Sequence, residues 1–317
     1  MKTLTQFVIN STHTQITRGK SFTVLLNTFE NAARIISAHV RKVGLADLLG
    51  VSGDINTSGD TVKKIDVFAN DLLVQMLTDS GQIFRLASEE LETVIKTTHT
   101  DAPFDVYIDP LDGSSNTDNA GSLGTIFSIY ERQATDTLPS GNKQVAAGYI
   151  LYGSSTMFVY ATHEGVQGFT LDPSTGCFIH SHPDLVMPEE GTIYIANEAN
   201  SPNWHKDILL FVQKLKVEKK CKLRNAACLV ADFHNTLVGG GVFIYPSDKK
   251  NPDGKLRLMY EVNPISFICE ISGGKAITNK KNPLDEAPID LHQKVDFLIG
   301  SKKLISLFTK LPEDAIT

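Results

Sequence analysis

Two aspartates, Asp109 and Asp112, lie three positions apart in the stretch DPLDGSSN. Pro110 fixes φ and donates no N–H, so we expect a strand to end at Asp109 and the chain to turn there. Such a turn can bring the two carboxylates and the Leu111 carbonyl to face one point. Because neighbouring carboxylates repel each other, a cation that prefers oxygen ligands, such as Mg²⁺, would relieve that repulsion.

The residues after the second aspartate can hold an anion. The N–H groups of Gly113, Ser114 and Ser115 can cradle one if they open a helix or form a nest. A cation beside such a cradle is the arrangement that a phosphatase needs. The simpler interpretation is a good turn and nothing more, since Asp, Pro and Gly are common turn residues. An EF-hand calcium loop is excluded, because counting its positions from either aspartate finds neither the required mid-loop glycine nor the terminal glutamate.

Acidic residues elsewhere in the chain extend this candidate site. Glu89 and Glu90 follow the strand-like run IFRLA, and Glu261 stands just before a predicted helix. Asp66 lies among apolar residues of another predicted helix, where burying an unpartnered carboxylate is costly. Each of these residues alone is typical of a solvated surface. Together with DPLDGSS they favour a multi-metal oxygen site.

Such a site predicts metal-assisted hydrolysis of a phosphate ester. Two or three Mg²⁺ ions would neutralise the phosphate and the leaving oxygen, and would lower the pKa of a bound water for in-line attack. Phosphoryl transfer depends mainly on positioning and charge stabilisation, so no covalent nucleophile is required. Ser114 and Ser115 are therefore expected to be donors, and we interpret His234 as a structural histidine.

Composition limits the class of protein. The chain has 317 residues, a formal net charge of −6, 41% hydrophobic and 21% charged residues, which is enough for a sizeable core. A mildly acidic chain has no electrostatic reason to bind nucleic acid or an anionic membrane. The four cysteines lack zinc or C-x-x-C spacing and are expected to be reduced. No signal-peptide apolar region and no apolar run of ~18 residues is evident, so we expect a cytoplasmic protein.

Apolar periodicity predicts the elements that position these residues. Helices are expected at 21–43, at 61–77 after an Asp60 N-cap, at 201–215 with Ser201 as N-cap, and between Asn263 and Gly273. Strands are expected before Asp109 and in an antiparallel meander over 145–171. A polar segment near 181–192 separates two halves, and the whole pattern indicates an α+β fold.

The sequence resembles the class I fructose-1,6-bisphosphatase family, which includes sedoheptulose-1,7-bisphosphatases, over nearly its whole length. The motifs that carry the resemblance are GDTVKKIDVFANDLL, SEE, DPLDGSSN, GTIFSIY, AAGYILYGSSTM, VADFHNTLVGGGVFIYP and GKLRLMYEVNP. It implies a layered α-β-α-β-α, inositol-monophosphatase-like fold with two mixed sheets. The implied reaction is Mg²⁺-dependent removal of the 1-phosphate from a ketose bisphosphate, with Mn²⁺ or Zn²⁺ as substitute ions.

The resemblance also implies an organisation and a role for each site residue. A metal-binding and dimerisation domain is expected over 1–190 and a sugar-phosphate-binding domain over 191–317, in a homodimer or homotetramer. The implied metal ligands are Glu89, Asp109, the Leu111 carbonyl, Asp112 and Glu261. The implied groups that orient and deprotonate water are Asp66 and Glu90. The 1-phosphate would contact Gly113, Ser114 and Ser115, and the far phosphate or the sugar would contact Asn197, Tyr245, Lys255 and, from the neighbouring subunit, Arg224.

The sequence departs from the family at the far phosphate. Two tyrosines of the fructose enzymes are replaced by Asn200 and Asn225. Asparagine is smaller but still offers amide donors, so we expect a wider pocket. For that reason we favour sedoheptulose 1,7-bisphosphate as substrate, with fructose 1,6-bisphosphate, the substrate in gluconeogenesis, as the alternative.

A second departure concerns the AMP pocket of the family. The expected lysine-tyrosine pair is Pro103 and Phe104 here, and an expected arginine is Glu131. A carboxylate would repel the nucleotide phosphate, so we predict no useful AMP inhibition. Leu49 replaces an aromatic residue that anchors a mobile loop in AMP-regulated members. Two other interpretations remain open: a related phosphatase of inositol or nucleotide phosphates, and an inactive homologue that only binds a metabolite.

Overall fold

The structure is a computed structural model in which residues 2–11, 19–43, 45, 51–55 and 61–311 are described. Leu49 and the predicted N-cap Asp60 lie outside the described residues. No helix in these ranges is long and apolar enough to cross a membrane.

Seven α-helices are present in the described ranges, and several differ from the predicted bounds. They are α1 Leu4–Asn10, α2 Gly19–Val40, α3 Lys64–Asp79, α4 Lys206–Val217, α5 Leu229–Gly239, α6 Asn263–Ile271 and α7 Lys302–Thr309. Leu25, Phe29, Ala32 and Ile36 form a fully buried face of α2, which ends at Val40 and not at the predicted position 43.

Two predicted helix starts were wrong. Helix α3 begins three residues later than expected because Lys63 is extended and its N–H donates to the Asp66 side chain, a cap that starts the helix at Lys64. Helix α4 does not begin at Ser201 and Pro202, which belong to a 3₁₀ helix, Glu198–Asn203. An antiparallel bridge between Trp204 and Asp248 holds the chain extended between the two helices.

The predicted start of α6 is confirmed, with Pro264 in its first turn. A π-helical turn, Leu258–Val262, runs directly into it and carries Glu261. Gly273 follows the end of the helix with a φ of +90°, as a closing glycine does.

Two short strand pairs and two larger sheets contain the strands. The strands are β1 Val51–Ile55, β2 Thr61–Lys63, β3 Ile83–Ser88, β4 Ile95–Lys96, β5 Phe104–Asp112, β6 Leu123–Glu131, β7 Gln144–Tyr152, β8 Thr156–Thr162, β9 Gly165–Asp172, β10 Cys177–His182, β11 Ile193–Ile195, β12 Lys222–Leu223, β13 Val242–Tyr245, β14 Leu256–Arg257, β15 Lys275–Ile277, β16 Lys294–Val295 and β17 Phe297–Gly300. Strand β1 pairs with β2, and β14 pairs with β16.

Both larger sheets are mixed, as expected. The eight-stranded sheet has the order β10-β9-β8-β7-β6-β5-β3-β4, in which only β3 and β5 are parallel among the described pairs. Its antiparallel run from β7 to β9 confirms the meander predicted over 145–171, and β10 extends this run beyond the predicted bounds. The five-stranded sheet has the order β12-β11-β13-β17-β15, with parallel pairs at one end and antiparallel pairs at the other.

Strand β5 does not end at Asp109 as predicted. It continues to Asp112, which pairs with Gly124 after a register shift, so Pro110 and Leu111 form a bulge opposite Thr125. A bulge accommodates a residue without an N–H inside a paired strand, and it changes which way the following side chains face. The expected convergence of the two carboxylates is thus produced by a bulge within a strand.

The elements stack in five layers of alternating helices and sheets. Helices α2 and α3 pack on one face of the eight-stranded sheet, and α5 and α6 lie between the two sheets. Helices α4 and α7 contact each other, and α7 packs on the five-stranded sheet. Separate hydrophobic clusters fill the three main interfaces between these layers. This is the predicted layered α-β-α-β-α architecture.

Candidate active site

A pocket of about 850 Å³ opens where β3 and β5 end, between α3, the start of α5 and the end of β13. Fourteen of the sixteen residues predicted for the site line it. Among the residues that the structure describes, Asn200 and Arg224 are the two predicted residues that do not line this pocket.

Three predicted metal ligands form a tight acidic cluster. Asp109, Asp112 and Glu261 each place one carboxylate oxygen within 4.8 Å of the other two. They come from the two sides of the β5 bulge and from the π-helical turn, so their proximity depends on the packing of that turn against β5 and β6. We call these three residues the acidic cluster.

Asp112 is oriented by the start of α5. Its Oδ2 accepts a hydrogen bond from the Val230 N–H at 2.7 Å and lies 3.0 Å from the Cys228 thiol, which donates to it. These donors fix the orientation of the Asp112 carboxylate. Gly113 also packs on Cys228: a Cβ on Gly113 would lie 2.8 Å from the Cys228 Cβ. The turn and the α5 start are therefore in direct contact.

Arg257 organises the opposite side of the acidic cluster. Its guanidinium forms an ion pair with Glu89, and its backbone N–H donates to Glu261 Oε2 at 2.6 Å. Both Arg257 and Glu261 are buried. Arg257 is a residue that our sequence analysis missed. An arginine within the apolar run LRLMY was the available signal, because a buried guanidinium requires an anionic partner.

The acidic cluster is electrostatically unfavourable without a cation. Burial raises the pKa of Asp109 well above its usual value, and the charges of Glu89, Asp112 and Glu261 raise it further. Burial and the charge of Glu89 raise the pKa of Glu261 to about 8, although Arg257 opposes this shift. Burial also raises the pKa of Asp112, against the hydrogen bonds from Cys228 and Val230. Carboxylate oxygens held in this way suit a hard divalent cation.

Asp66 and Glu90 lie on the same pocket wall as the cluster. Burial raises the pKa of Asp66 to about 6, while its hydrogen bond from the Lys63 N–H lowers it. The other oxygen, Asp66 Oδ1, is buried without a hydrogen-bond partner among the described residues. A carboxylate whose pKa is near neutrality, and one of whose oxygens can still accept a hydrogen bond, has the properties of a general base.

The predicted anion cradle is the beginning of a short 3₁₀ helix, Ser114–Asn119. Gly113 precedes it with a φ of +78°, a left-handed conformation that favours glycine. Gly113, Ser114 and Ser115 all line the pocket beside the acidic cluster. N–H groups in a first helical turn lack acceptors within that helix, so they can bind an anion.

The pocket residues predicted to contact the far phosphate or the sugar, which we call the far end, are less buried and carry fewer charges than the acidic cluster. They are Asn197, which is exposed, Tyr245 at the end of β13, and Asn225 and Lys255, which are also exposed. The Asn225 Oδ1 accepts a hydrogen bond from the Ala227 N–H at 2.7 Å. Asn200 instead lies in the 3₁₀ helix Glu198–Asn203, three residues after Asn197. It does not line the described pocket and therefore does not widen it.

Arg224 is exposed just beyond the edge strand β12, where its N–H donates to the Tyr194 carbonyl at 3.0 Å. A side chain in this place points toward solvent or a neighbouring molecule. The structure contains one chain, so the predicted role of Arg224 in a neighbouring site stays a prediction.

A second pocket of about 530 Å³ is lined by residues that we predicted to differ from the family's AMP site. Its wall includes Asp101, Pro103, Phe104, Glu131 and Arg132. The Arg132 guanidinium lies 3.7 Å from the Phe84 ring centroid and donates to the Thr100 carbonyl. The absence of AMP inhibition stays a prediction.

The remaining assignments concern residues outside the pocket. His234 Nδ1 lies 2.7 Å from the Tyr149 hydroxyl, and burial lowers the pKa of this histidine to about 4, which suits a structural role. All four cysteines are unpaired.

The arrangement defines a class of protein. Clustered carboxylates that can hold a divalent cation, adjoining a turn that can accept a phosphate, are what hydrolysis of a phosphate ester requires. Within this layered α+β fold they identify the chain as a phosphoric monoester hydrolase.

Comparisons with known proteins specify the family. The model of the fructose-1-6-bisphosphatase N-terminal domain matches residues 2–183, and that of the C-terminal domain matches residues 187–313. A class 1 fructose-1,6-bisphosphatase of Persephonella marina is 47% identical over 95% of each chain. A cytosolic fructose-1,6-bisphosphatase of Brassica napus is 44% identical over 95% of this chain and 92% of its own. The holo form of Leishmania major fructose-1,6-bisphosphatase superposes with a TM-score of 0.91 at 34% identity, covering 97% of each chain.

The chain belongs to the fructose-1,6-bisphosphatase family. These three relatives carry the name of the six-carbon enzyme, so the comparisons favour that alternative over the sedoheptulose interpretation.

Proposed function

We propose that this protein hydrolyses the 1-phosphate of fructose 1,6-bisphosphate with the help of a divalent cation, Mg²⁺ in the first instance. The observation that supports this most strongly is the acidic cluster of Asp109, Asp112 and Glu261 beside the turn of Gly113, Ser114 and Ser115. The names of the relatives support the six-carbon substrate, and the cytosolic relative supports a cytoplasmic location.

The cation would be held by the acidic cluster together with Glu89 and the Leu111 carbonyl. When bound, it supplies positive charge that offsets the charge of the phosphate and of the leaving oxygen. Asp109, Asp112 and Glu261 fit this role because burial raises the pKa of each, and a bound cation would bring these pKa values down.

The side chains around the cluster position the reacting groups. Gly113, Ser114 and Ser115 would donate N–H groups to the 1-phosphate, which fixes its orientation. Asp66, with a pKa of about 6 and a buried oxygen that lacks a partner among the described residues, would orient a water and take its proton. Glu90, on the same wall, would share this task.

At the other end of the pocket, Asn197, Asn225, Tyr245 and Lys255 would bind the sugar and the far phosphate. Arg224 would contribute from a neighbouring subunit of a homodimer or homotetramer, which agrees with its exposure. We retain the division into a metal-binding domain over 1–190 and a sugar-phosphate-binding domain over 191–317 as part of this proposal.

The proposal is tested by phosphate release from a substrate panel in Mg²⁺. We expect kcat/KM to be highest for fructose 1,6-bisphosphate, with sedoheptulose 1,7-bisphosphate second. The panel includes inositol monophosphate and 3′-phosphoadenosine 5′-phosphate. Preference for either of these two would contradict the proposal, and a strong preference for the seven-carbon bisphosphate would restore the sedoheptulose interpretation.

A further inference from the structure

The segment Asn225–Cys228, which we call the substrate loop, lies between β12 and α5 and forms part of the pocket wall. Its conformation is unusual, because Ala227 has a φ of +53° although it carries a Cβ. A backbone of this kind persists only where surrounding contacts fix it. The loop is therefore held in place by its neighbours.

Asn116 holds the carbonyl side of the substrate loop. Its Nδ2 donates to the Ala226 carbonyl at 2.9 Å, and also lies 3.2 Å from the Ala227 carbonyl and 3.0 Å from the Ser122 carbonyl. The side chain has little room to move, since a Cβ on Gly121 would lie 2.9 Å from the Asn116 Cβ. Asn116 was not among the predicted site residues, and it does not line the pocket.

Asp232 holds the N–H side of the same loop. This buried residue of α5 accepts a hydrogen bond from the Ala226 N–H at 2.8 Å. The Ala226 residue is thus fixed through both of its backbone groups, by an acceptor on one side and a donor on the other. Asn225 precedes it directly, so the direction of the Asn225 side chain depends on these two contacts.

We propose that Asn116 and Asp232 are positioning residues that make the enzyme selective for a sugar with a second phosphate. Asn116 follows the turn of Gly113, Ser114 and Ser115 directly in sequence. The segment that receives the 1-phosphate therefore also fixes the substrate loop, whose Asn225 we assign to the far end of the pocket. This coupling sets the separation between the two ends. The inference rests on the proposed function, because it assigns the far end to a second phosphate.

The test compares fructose 1,6-bisphosphate with fructose 1-phosphate, which lacks the far phosphate. In Asn116→Ala we expect kcat/KM for the bisphosphate to fall about tenfold, mainly through KM, because a mobile loop weakens binding of the far phosphate. For fructose 1-phosphate the fall should be less than about twofold. A general loss of structure would lower both values alike.

Two further variants keep the test decisive if Asn116→Ala folds poorly. Asp232→Ala should reduce the ratio of the two kcat/KM values in the same way, whereas Asp232→Asn, which keeps an acceptor for the Ala226 N–H, should restore it. Thr117→Val is the matched control. It removes a hydrogen bond to the Ser114 carbonyl in the same 3₁₀ helix without touching the substrate loop, and should affect both substrates equally.

A double-mutant cycle identifies the group through which Asn116 acts. If it acts by positioning Asn225, the effect of Asn116→Ala should shrink in an Asn225→Ala background. Additive effects, or an unchanged ratio between substrates in both Asn116→Ala and Asp232→Ala, would overturn the inference. Wild-type protein that shows no preference for the bisphosphate would instead overturn the proposed function.

Discussion

The two ends of the active-site pocket are built in different ways. At the metal end, Asp109 and Glu261 are buried, have charges of one sign and lie on a strand and a π-helical turn that pack against each other. At the far end, Asn197, Asn225 and Lys255 are exposed and lie on loops or beside a short 3₁₀ helix. A buried charge must be compensated by an opposite charge or by hydrogen bonds, whereas each exposed donor adds only a small, separate amount to the binding free energy. We therefore expect all-or-none effects at one end and graded effects at the other.

The largest effect is expected for Asp109→Asn. It removes a buried negative charge from the acidic cluster, so the cation is bound weakly or in the wrong place, and kcat/KM should fall about 10³-fold or more. Steady-state kinetics with increasing Mg²⁺ measure this change. Asp71→Asn, at an exposed position of α3, is the matched control and should be nearly silent. Comparable activity of the two variants would remove Asp109 from the site.

The same substitution should have the opposite effect on the metal-free protein. Without a cation, the repulsion of Asp109 by Glu89, Asp112 and Glu261 destabilises the fold, and Asp109→Asn relieves it. We expect the melting temperature in a chelator to rise or to stay constant. A clear fall would show that Asp109 has a structural role in addition to binding a cation.

The second effect is a pH dependence of stability that the cation suppresses. The folded pKa of Glu261 is about 8 and that of Asp66 about 6, both above their unfolded values of 4.5 and 3.8. Between the unfolded and folded values the folded state binds more protons than the unfolded state, so the free energy of unfolding decreases as pH rises. Metal-free protein should therefore lose stability between about pH 5 and pH 8.

Differential scanning calorimetry across this range, with a chelator or with Mg²⁺, measures the effect. We expect the melting temperature of the metal-free protein to fall by at least about 2 °C more than that of the Mg²⁺-saturated protein. Glu261→Gln should flatten the metal-free curve. Parallel curves with and without Mg²⁺ would mean that the cation does not bind at these carboxylates.

The third effect, at the far end, should be smaller and confined to binding. Lys255→Met removes a positive charge that is exposed and lines the pocket, so KM for the bisphosphate should rise about tenfold while kcat changes little. Lys249→Met, in the neighbouring turn but outside the pocket wall, is the control. A large fall in kcat in Lys255→Met would break the contrast between the two ends, because it would link the far end to the chemical step.

The two ends also differ in how well the sequence predicted them. Asp109, Asp112 and Glu261 could be found because several carboxylates near apolar elements are costly unless they share a cation. The β5 bulge could not be found, because whether Pro110 ends a strand or is accommodated in it depends on pairing with Thr125. Arg257 was missed because its partner, Glu89, is distant in sequence and the ion pair exists only after folding.

At the far end, residue type alone was a poor guide. The smaller size of asparagine led us to place both Asn200 and Asn225 in the pocket. Of these two residues only Asn225 lines the described pocket, since Asn200 belongs to a 3₁₀ helix. The predicted start of α4 was also wrong. Ser201 and Pro202 are typical of a helix start, but the bridge between Trp204 and Asp248 keeps the chain extended after them. The antiparallel meander was predictable from the apolar patterns of its strands, whereas the order of the layers was predicted from the family resemblance.

The smallest effect is expected for AMP, and it extends the comparison to the second pocket. That pocket also has two carboxylates on its wall, Asp101 and Glu131, but they are not part of a cluster that could hold a cation among the described residues. A carboxylate in the pocket wall repels a nucleotide phosphate, so AMP should change kcat/KM by less than the roughly fivefold effect that allosteric coupling usually produces. Glu131→Arg reverses the charge at this position. It should make AMP binding strong enough to measure by isothermal titration calorimetry, with Glu164→Arg, outside this pocket, as the control.

Strong AMP inhibition of the wild-type enzyme would show that the charge of Glu131 does not decide nucleotide binding, and that an acidic pocket in this fold can accept a phosphate without a cation.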